Sequence, residues 1–164
     1  MFKPELIAAA EALLAQSRIN GWKLATAESC TGGLVSALLT EIPGSSDVFD
    51  RGFATYSNDA KSALLGVPAD LITQHGAVSE QVARAMAAGA LANSQADAAV
   101  AITGVAGPDG GTAEKPVGLV HLATSNRTGQ TQHQALRLGN IGRHDVRMES
   151  VAAAVAMLSE AVST

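Results

Sequence analysis

Residues 22–42 read WKLATAESCTGGLVSALLTEI, and their hydrophobic pattern changes at a pair of glycines. Residues 22–28 have the composition of a short β-strand, whereas the pattern from Thr31 onward is helical and ends at a Pro-Gly pair. A strand that passes through a tight turn into a helix is typical of α/β folds. We expect the functional site on this turn, Ala27 to Gly33.

Similar patterns continue on both sides of this segment. Helices are predicted over about residues 3–18, 58–66, 68–75 and 80–95, with Asn58 and Ser79 as caps, and in a C-terminal segment where Met148, Val151, Val155, Leu158 and Val162 share a face. Strands are predicted over residues 48–57, 97–103, 117–124 and 131–138. The last two are joined by the turn NRTG and are therefore antiparallel. The sequence predicts one domain, residues 1–164, with a three-layer α/β/α fold around a mixed sheet.

The composition excludes several classes of function. The chain has 164 residues, is 47% hydrophobic and carries a net charge of −4. Without a Lys/Arg block we expect no nucleic-acid partner, and without a long apolar run we expect no membrane partner. A lone cysteine and an N-terminus unlike a signal peptide indicate a cytoplasmic protein. The spacing of the four histidines predicts neither a metal site nor a catalytic triad.

Ser29 is the first candidate catalytic residue. It follows a predicted strand, where backbone amides of the next helix point outward, and Gly32 and Gly33 leave room for a phosphate or a carbonyl oxygen. Ser29 is a possible nucleophile, with amides of the turn as an oxyanion hole. Two alternatives remain: Ser29 or Thr31 only caps the helix, or Cys30 is the nucleophile rather than a small buried residue.

Lys61 is the candidate base for such a serine. Lysine accepts a proton near neutral pH only if burial or like charge lowers its pKa from ~10.4 by roughly 3 units. Tyr56 lies five residues earlier, across a predicted strand-to-helix turn, and is placed to hydrogen-bond the amine. The alternative for Lys61 is an ordinary solvated helix residue.

The glycine-rich loop at residues 104–111 is a second candidate region. It lacks the spacing of a phosphate-binding or dinucleotide-binding loop, so a plain turn explains it equally well. Thr103 and Gly104 end an apolar strand and are expected to face the same crevice as Ser29. Arg143 and Arg147 lie four residues apart at the start of the last helix and are candidates for binding a phosphate, the alternative being a solvated helix face.

Four motifs follow one another along the chain: TAESCTGG (26–33), FDRGFATYSNDAK (49–61), HGAVSE (75–80) and TGVAGPDGGTAEKPVG (103–118). In this order they closely resemble the C-terminal domain of the CinA family, over roughly residues 5–160. The resemblance implies a stand-alone amidase that hydrolyses nicotinamide mononucleotide to nicotinate mononucleotide and ammonia, without metal or organic cofactor. Longer family members carry a further N-terminal domain that resembles molybdopterin-binding proteins.

The resemblance also implies site residues. The catalytic serine, tyrosine and lysine of the family match Ser29, Tyr56 and Lys61. We expect the substrate to be bound by residues of the glycine turn, of the strand end and of the last helix: Cys30, Thr31, Gly32, Gly33, Thr103, Gly104 and Arg143. Relatives often read Gly-Asp-Arg where this chain has Gly-Asn-Ile-Gly-Arg, residues 139–143, which leaves the role of Arg143 open.

Two further expectations concern an alternative function and the oligomeric state. A non-catalytic module that binds a nucleotide and acts in competence or DNA-damage responses is the alternative function. The predicted hairpin leaves a sheet edge at which a second copy could pair, so we also expect a homo-oligomer.

Overall fold

The computed structural model describes residues 1–163. Its helices are α1 (Pro4–Asn20), α2 (Leu34–Glu41), α3 (Asn58–Leu65), α4 (Ala69–His75), α5 (Glu80–Ala92) and α6 (Arg143–Val162). Its strands are β1 (Leu24–Glu28), β2 (Phe49–Ala54), β3 (Ala98–Gly104), β4 (Leu119–Asn126) and β5 (Thr131–Arg137). A single 3₁₀ turn, Ser45–Asp47, precedes β2.

The strands form one five-stranded sheet in the order β2-β1-β3-β4-β5. β1 pairs in parallel with β2 and β3, whereas β3, β4 and β5 pair antiparallel. The predicted mixed sheet is thereby confirmed. β5 lies at an edge of the sheet, and the expected homo-oligomer stays a prediction.

Helices cover both faces of the sheet. β3 shows why, since Val100 and Ile102 pack into a core with α1, α2 and α6, while Ala99 and Ala101 pack into a second core with α5. Alternate residues of a strand point to opposite faces, so a strand that is apolar throughout needs cover on both sides. The predicted three-layer α/β/α architecture is confirmed.

Several predicted boundaries differ from the structure by a few residues. α2 begins at Leu34 rather than near Thr31, because Gly32 and Gly33 have φ of +60° and +107°, which an α-helix does not accept. Ser57, not Asn58, caps α3, and its hydroxyl accepts a hydrogen bond from the Ala60 amide at 3.0 Å. The predicted cap at Ser79 is confirmed by the bond from the Val82 amide.

Among the described helices, none combines the length and the apolar character that crossing a membrane requires.

Candidate active site

A cavity of about 320 Å³ opens where β1 and β3 end. Because these strands are parallel neighbours, their carboxyl ends lie side by side, and the loops that follow them meet there. The cavity is lined by residues from five parts of the chain: Ser29, Cys30, Tyr56, Asn58, Lys61, Ala77, Val78, Thr103, Gly104, Val105, Ala106, Gly107, Asp109, Gly110 and Arg143.

Ser29 is the first residue of the turn that leaves β1. Its amide donates to the carbonyl of Ile102 in β3 at 2.9 Å, and its carbonyl accepts from the Gly32 amide at 3.0 Å. The side chain of Glu28 is buried and accepts from the amides of Gly33 and Ser36, at 3.1 and 2.9 Å. The turn that carries the serine is therefore fixed at both ends.

Lys61 reaches the same point from α3. The residue is only 1% exposed, and its amine donates to the hydroxyl of Ser29 at 3.0 Å and to the carbonyl of Thr55 at 2.9 Å. The alternative of a solvated lysine is excluded by this burial. The predicted serine and lysine are brought together within hydrogen-bond distance.

The charge state of Lys61 follows from its surroundings. Burial lowers the pKa of the amine from its ordinary value of 10.5, with a smaller opposing effect from Cys30. Among residues 1–163, no carboxylate lies within ion-pair distance of the amine. A buried ammonium without a carboxylate partner loses its proton more readily than a solvated one. The neutral amine can then accept the hydroxyl proton of Ser29 over the same 3.0 Å.

Cys30 lines the cavity next to Ser29 but is 5% exposed. Burial raises the pKa of its thiol to about 11. The thiol is therefore protonated near neutral pH, and a thiol is a much weaker nucleophile than a thiolate. Between the two side chains of this turn, the surroundings favour Ser29.

Tyr56 does not make the predicted contact with the lysine amine. Its side chain is largely exposed, and its hydroxyl accepts a hydrogen bond from Arg143 at 3.0 Å. Only its backbone carbonyl faces the Lys61 amine, at 3.5 Å. β2 ends at Ala54, and the following residue, Thr55, takes the buried position beside the amine, so Tyr56 points outward.

The two arginines of α6 have different surroundings. Arg143 lines the cavity and also donates to the carbonyl of Gly107 at 2.8 Å. Arg147 lies one helical turn later and donates to the carbonyls of Cys30 and Thr31. Arg143 is therefore available to a ligand, whereas Arg147 is bound to the turn that carries Ser29.

The remaining predicted binding residues divide into those that line the cavity and those that do not. Thr103 and Gly104 line the cavity, and the Thr103 hydroxyl donates to the carbonyl of Ala77 at 2.8 Å. Gly104 has a packing role, because a Cβ there would lie 2.7 Å from a methyl group of Val120.

Three predicted binding residues are not among the described residues that line the cavity: Thr31, Gly32 and Gly33. Thr31 is fully buried, and the Gly33 amide is bound to Glu28, so these two residues stabilise the turn and do not face the cavity.

Three residues of the site were not predicted from the sequence. Asn58 and Asp109 line the cavity, and the carboxylate of Glu28 is buried. The only local signal for Glu28 was a charged residue at the end of an apolar strand.

No histidine is among the described residues that line the cavity. His121 and His133 contact each other instead, with 2.8 Å between Nδ1 and Nε2, and His133 faces Glu80. Within residues 1–163, no group of three or more potential ligand side chains is placed to hold a metal ion.

Comparison with known proteins assigns this chain to one protein family. The family model described as CinA C-terminal domain matches residues 7–162. A CinA-like protein of Mycobacterium marinum is 54% identical over 142 residues, which cover 86% of this chain and 33% of that protein. A CinA-like protein of Colwellia psychrerythraea is 58% identical over 121 residues, covering 74% of this chain and 28% of that protein. The chain thus spans about a third or less of the length of these curated relatives.

Solved structures agree along the whole chain. The crystal structure of the competence/damage inducible protein CihA from Agrobacterium tumefaciens superposes with a TM-score of 0.97 at 51% identity and covers 100% of this chain and 99% of that one. A CinA superfamily protein from Escherichia coli gives a TM-score of 0.89 at 30% identity, covering 100% and 94%. The fold is therefore the α/β domain of the CinA superfamily. This chain belongs to the CinA C-terminal domain family.

Proposed function

We propose that this domain is an amidohydrolase that converts nicotinamide mononucleotide to nicotinate mononucleotide and ammonia. The observation that carries the proposal is the 3.0 Å contact between the buried amine of Lys61 and the hydroxyl of Ser29, at the wall of an open cavity. A serine paired with a lysine is one of the recurring nucleophile-base arrangements of acyl-transfer enzymes. The identity of the substrate rests on the family resemblance.

In the first half of the reaction, the neutral amine of Lys61 takes the proton of the Ser29 hydroxyl. The serine oxygen attacks the carboxamide carbon, and the resulting tetrahedral centre carries a negative oxygen. Lys61 then donates its proton to the departing nitrogen, which leaves as ammonia. A nicotinoyl ester on Ser29 remains.

In the second half, water hydrolyses this ester by the same proton transfers. Lys61 accepts a proton from water, and the hydroxide formed attacks the ester carbon. The serine oxygen leaves and regains its proton from Lys61. The products are the carboxylic acid and the free enzyme, and the reaction consumes one water for each ammonia released.

The amide of Cys30 is the proposed donor to the negative oxygen. The residue after the nucleophile supplies this amide in many serine hydrolases. The amides of Gly32 and Gly33 already donate to Ser29 and Glu28, and the Thr103 hydroxyl already donates to Ala77. We assign this role to the Cys30 amide because Cys30 follows Ser29 directly and lies on the cavity wall.

Arg143 is the proposed partner of the substrate phosphate. It is a cation on the cavity wall, fixed by bonds to Gly107 and Tyr56 that leave further N–H groups for a ligand. Tyr56 thus acts on the substrate through Arg143. No step of the proposed reaction uses a metal ion or an organic cofactor.

The non-catalytic nucleotide-binding module remains the second candidate. Arg143, a cation on the cavity wall, would serve a module that only binds a phosphorylated ligand equally well. The buried lysine favours the enzyme. A lysine that only contacts a phosphate works as a solvated cation, whereas the amine of Lys61 is buried and has no carboxylate partner.

The deciding experiment is incubation of the purified domain with nicotinamide mononucleotide. We expect release of ammonia and of nicotinate mononucleotide in equal amounts, measured by an enzymatic ammonia assay and by chromatography. Ser29→Ala is the matched control and should release neither product. Binding measured by calorimetry without ammonia release would support the module, and the absence of both would contradict each candidate.

A further inference from the structure

We propose that Arg147 is a positioning residue that aims the oxyanion-binding amide by holding the turn after Ser29. This inference rests on the proposed function, in which Ser29 is the nucleophile. Arg147 lies on α6 and is half-buried. Its Nε donates to the carbonyl of Cys30 at 3.1 Å and its Nη2 donates to the carbonyl of Thr31 at 3.0 Å.

These two bonds determine the directions of the neighbouring amides. In a trans peptide, the carbonyl and the N–H of the next residue point in opposite directions. Within residues 1–163 the only cis bond is Gly107-Pro108, so the turn consists of trans peptides. A carbonyl held by Arg147 therefore fixes the N–H of the following residue.

The effect of Arg147 reaches the proposed oxyanion site through consecutive peptide planes. Arg147 holds the Thr31 carbonyl and so fixes the Gly32 amide, which donates to the Ser29 carbonyl at 3.0 Å. That carbonyl belongs to the same peptide plane as the amide of Cys30. Arg147 thus sets the direction of the Cys30 amide without contacting the substrate.

Glu28 holds the other side of the same segment. Its carboxylate accepts from the amides of Gly33, Val35 and Ser36 at 3.1, 3.0 and 2.9 Å. A cation therefore binds carbonyls on one side of the turn, and an anion binds amides on the other. Because Glu28 anchors the start of α2 by itself, loss of Arg147 should loosen the turn without unfolding the helix.

The contact requires arginine rather than lysine. Two carbonyls are bound by two different nitrogens of one planar group, and a lysine amine offers a single nitrogen. Arg147→Lys should therefore keep the charge and lose part of the positioning.

The test uses Cys30, the only cysteine of the chain, as a probe of the turn. Its reaction with an aromatic disulfide reagent is followed by absorbance for the wild type, Arg147→Met, Arg147→Lys and the control Arg84→Met. Arg84 pairs with Glu80 on α5, away from the turn. Circular dichroism checks that each variant is folded.

We expect Cys30 of Arg147→Met to react about tenfold faster, as local opening becomes easier. The charge of Arg147 lowers the pKa of this thiol, so its loss alone would slow the reaction. Faster labelling therefore reports a loosened turn. With nicotinamide mononucleotide as substrate, the kcat of Arg147→Met should fall about a hundredfold at nearly constant KM. The kcat of Arg147→Lys should lie between those of Arg147→Met and the wild type.

Labelling of Arg147→Met at the wild-type rate would overturn the proposal, and so would faster labelling with unchanged kcat. If Arg147→Met does not fold, the same criteria apply to Arg147→Lys. If the wild type releases no ammonia, the proposed function fails. The labelling rates would then still decide whether Arg147 holds the turn.

Discussion

The amine of Lys61 and the hydroxyl of Ser29 lie 3.0 Å apart, although 32 positions separate them in the chain. Ser29 is held by a turn that leaves the central sheet, and Lys61 by a helix that begins after the neighbouring strand β2. Both are brought to one point because β1 and β2 are parallel and end at the same edge. The contact is a consequence of sheet topology.

Removal of either group should stop the reaction, because the serine and its base act as one unit. Ser29→Ala and Lys61→Ala should each lower kcat for ammonia release by at least about a thousandfold. Cys30→Ala is the matched control on the same turn and should retain most of the activity, since the Cys30 thiol has a pKa of about 11. The reverse pattern, in which Cys30→Ala is inactive and Ser29→Ala is active, would contradict the assignment.

The rate should depend on pH through Lys61. Burial lowers the pKa of this amine below 10.5, and only its neutral form accepts the serine proton. We therefore expect kcat/KM to increase with pH, with a midpoint below 10.5. A flat profile between pH 6 and 9, with full activity throughout, would argue against a titrating lysine as the base.

The same group should affect stability in the same pH range. The folded state loses the Lys61 proton at a lower pH than the unfolded state does, so the unfolded state binds more protons between the two pKa values. The free energy of unfolding should rise with pH from the folded pKa up to 10.5. Denaturant titrations of the wild type and Lys61→Met at several pH values measure this slope. An equal slope in both proteins would contradict the expectation.

Arg143 and Tyr56 should affect substrate binding rather than the chemical step. Arg143→Met removes the proposed phosphate partner and should raise KM for nicotinamide mononucleotide about tenfold or more. Tyr56→Phe removes only the hydroxyl that accepts from Arg143, so we expect a smaller increase in KM and an unchanged kcat. Nicotinamide riboside lacks the phosphate and is the control substrate. A large fall in kcat for Tyr56→Phe would instead support a direct catalytic role.

Much of this architecture could be predicted from local patterns. The change from strand to helix at Gly32 and Gly33 predicted the βα unit, and a run that is apolar at every position predicted a central strand with two covered faces. Ser29 and Lys61 lie where strands or turns meet helices, so their approximate location followed from the order of the elements. These predictions depend on short-range periodicity, which the sequence displays directly.

The direction of single side chains and the long-range contacts could not be predicted in this way. The sequence predicted a strand up to residue 57, whereas β2 ends at Ala54, so Thr55 is buried beside the lysine amine and the side chain of Tyr56 is exposed. The bond from Arg147 to Cys30 spans 117 positions, and no local pattern indicates it. The buried carboxylate of Glu28 was equally hidden, because three of its partners are backbone amides, which any residue supplies, and the fourth is the hydroxyl of Ser36.

The last prediction concerns Gly89, where α5 meets the end of the helix that carries Lys61. A Cβ at this position would lie 2.0 Å from the carbonyl oxygen of Leu65, a backbone atom that cannot move without α3. Gly89→Ala should therefore lower the free energy of unfolding by about 1–3 kcal/mol, despite the better helix propensity of alanine. Ala88→Ser, on the exposed side of α5, is the control and should change it by less than about 0.5 kcal/mol. Because α3 must shift, Gly89→Ala should also lower kcat for ammonia release, and denaturant titration with a rate assay on one sample measures both effects. A variant as stable and as active as the wild type would show that the two helices are not held in this close contact.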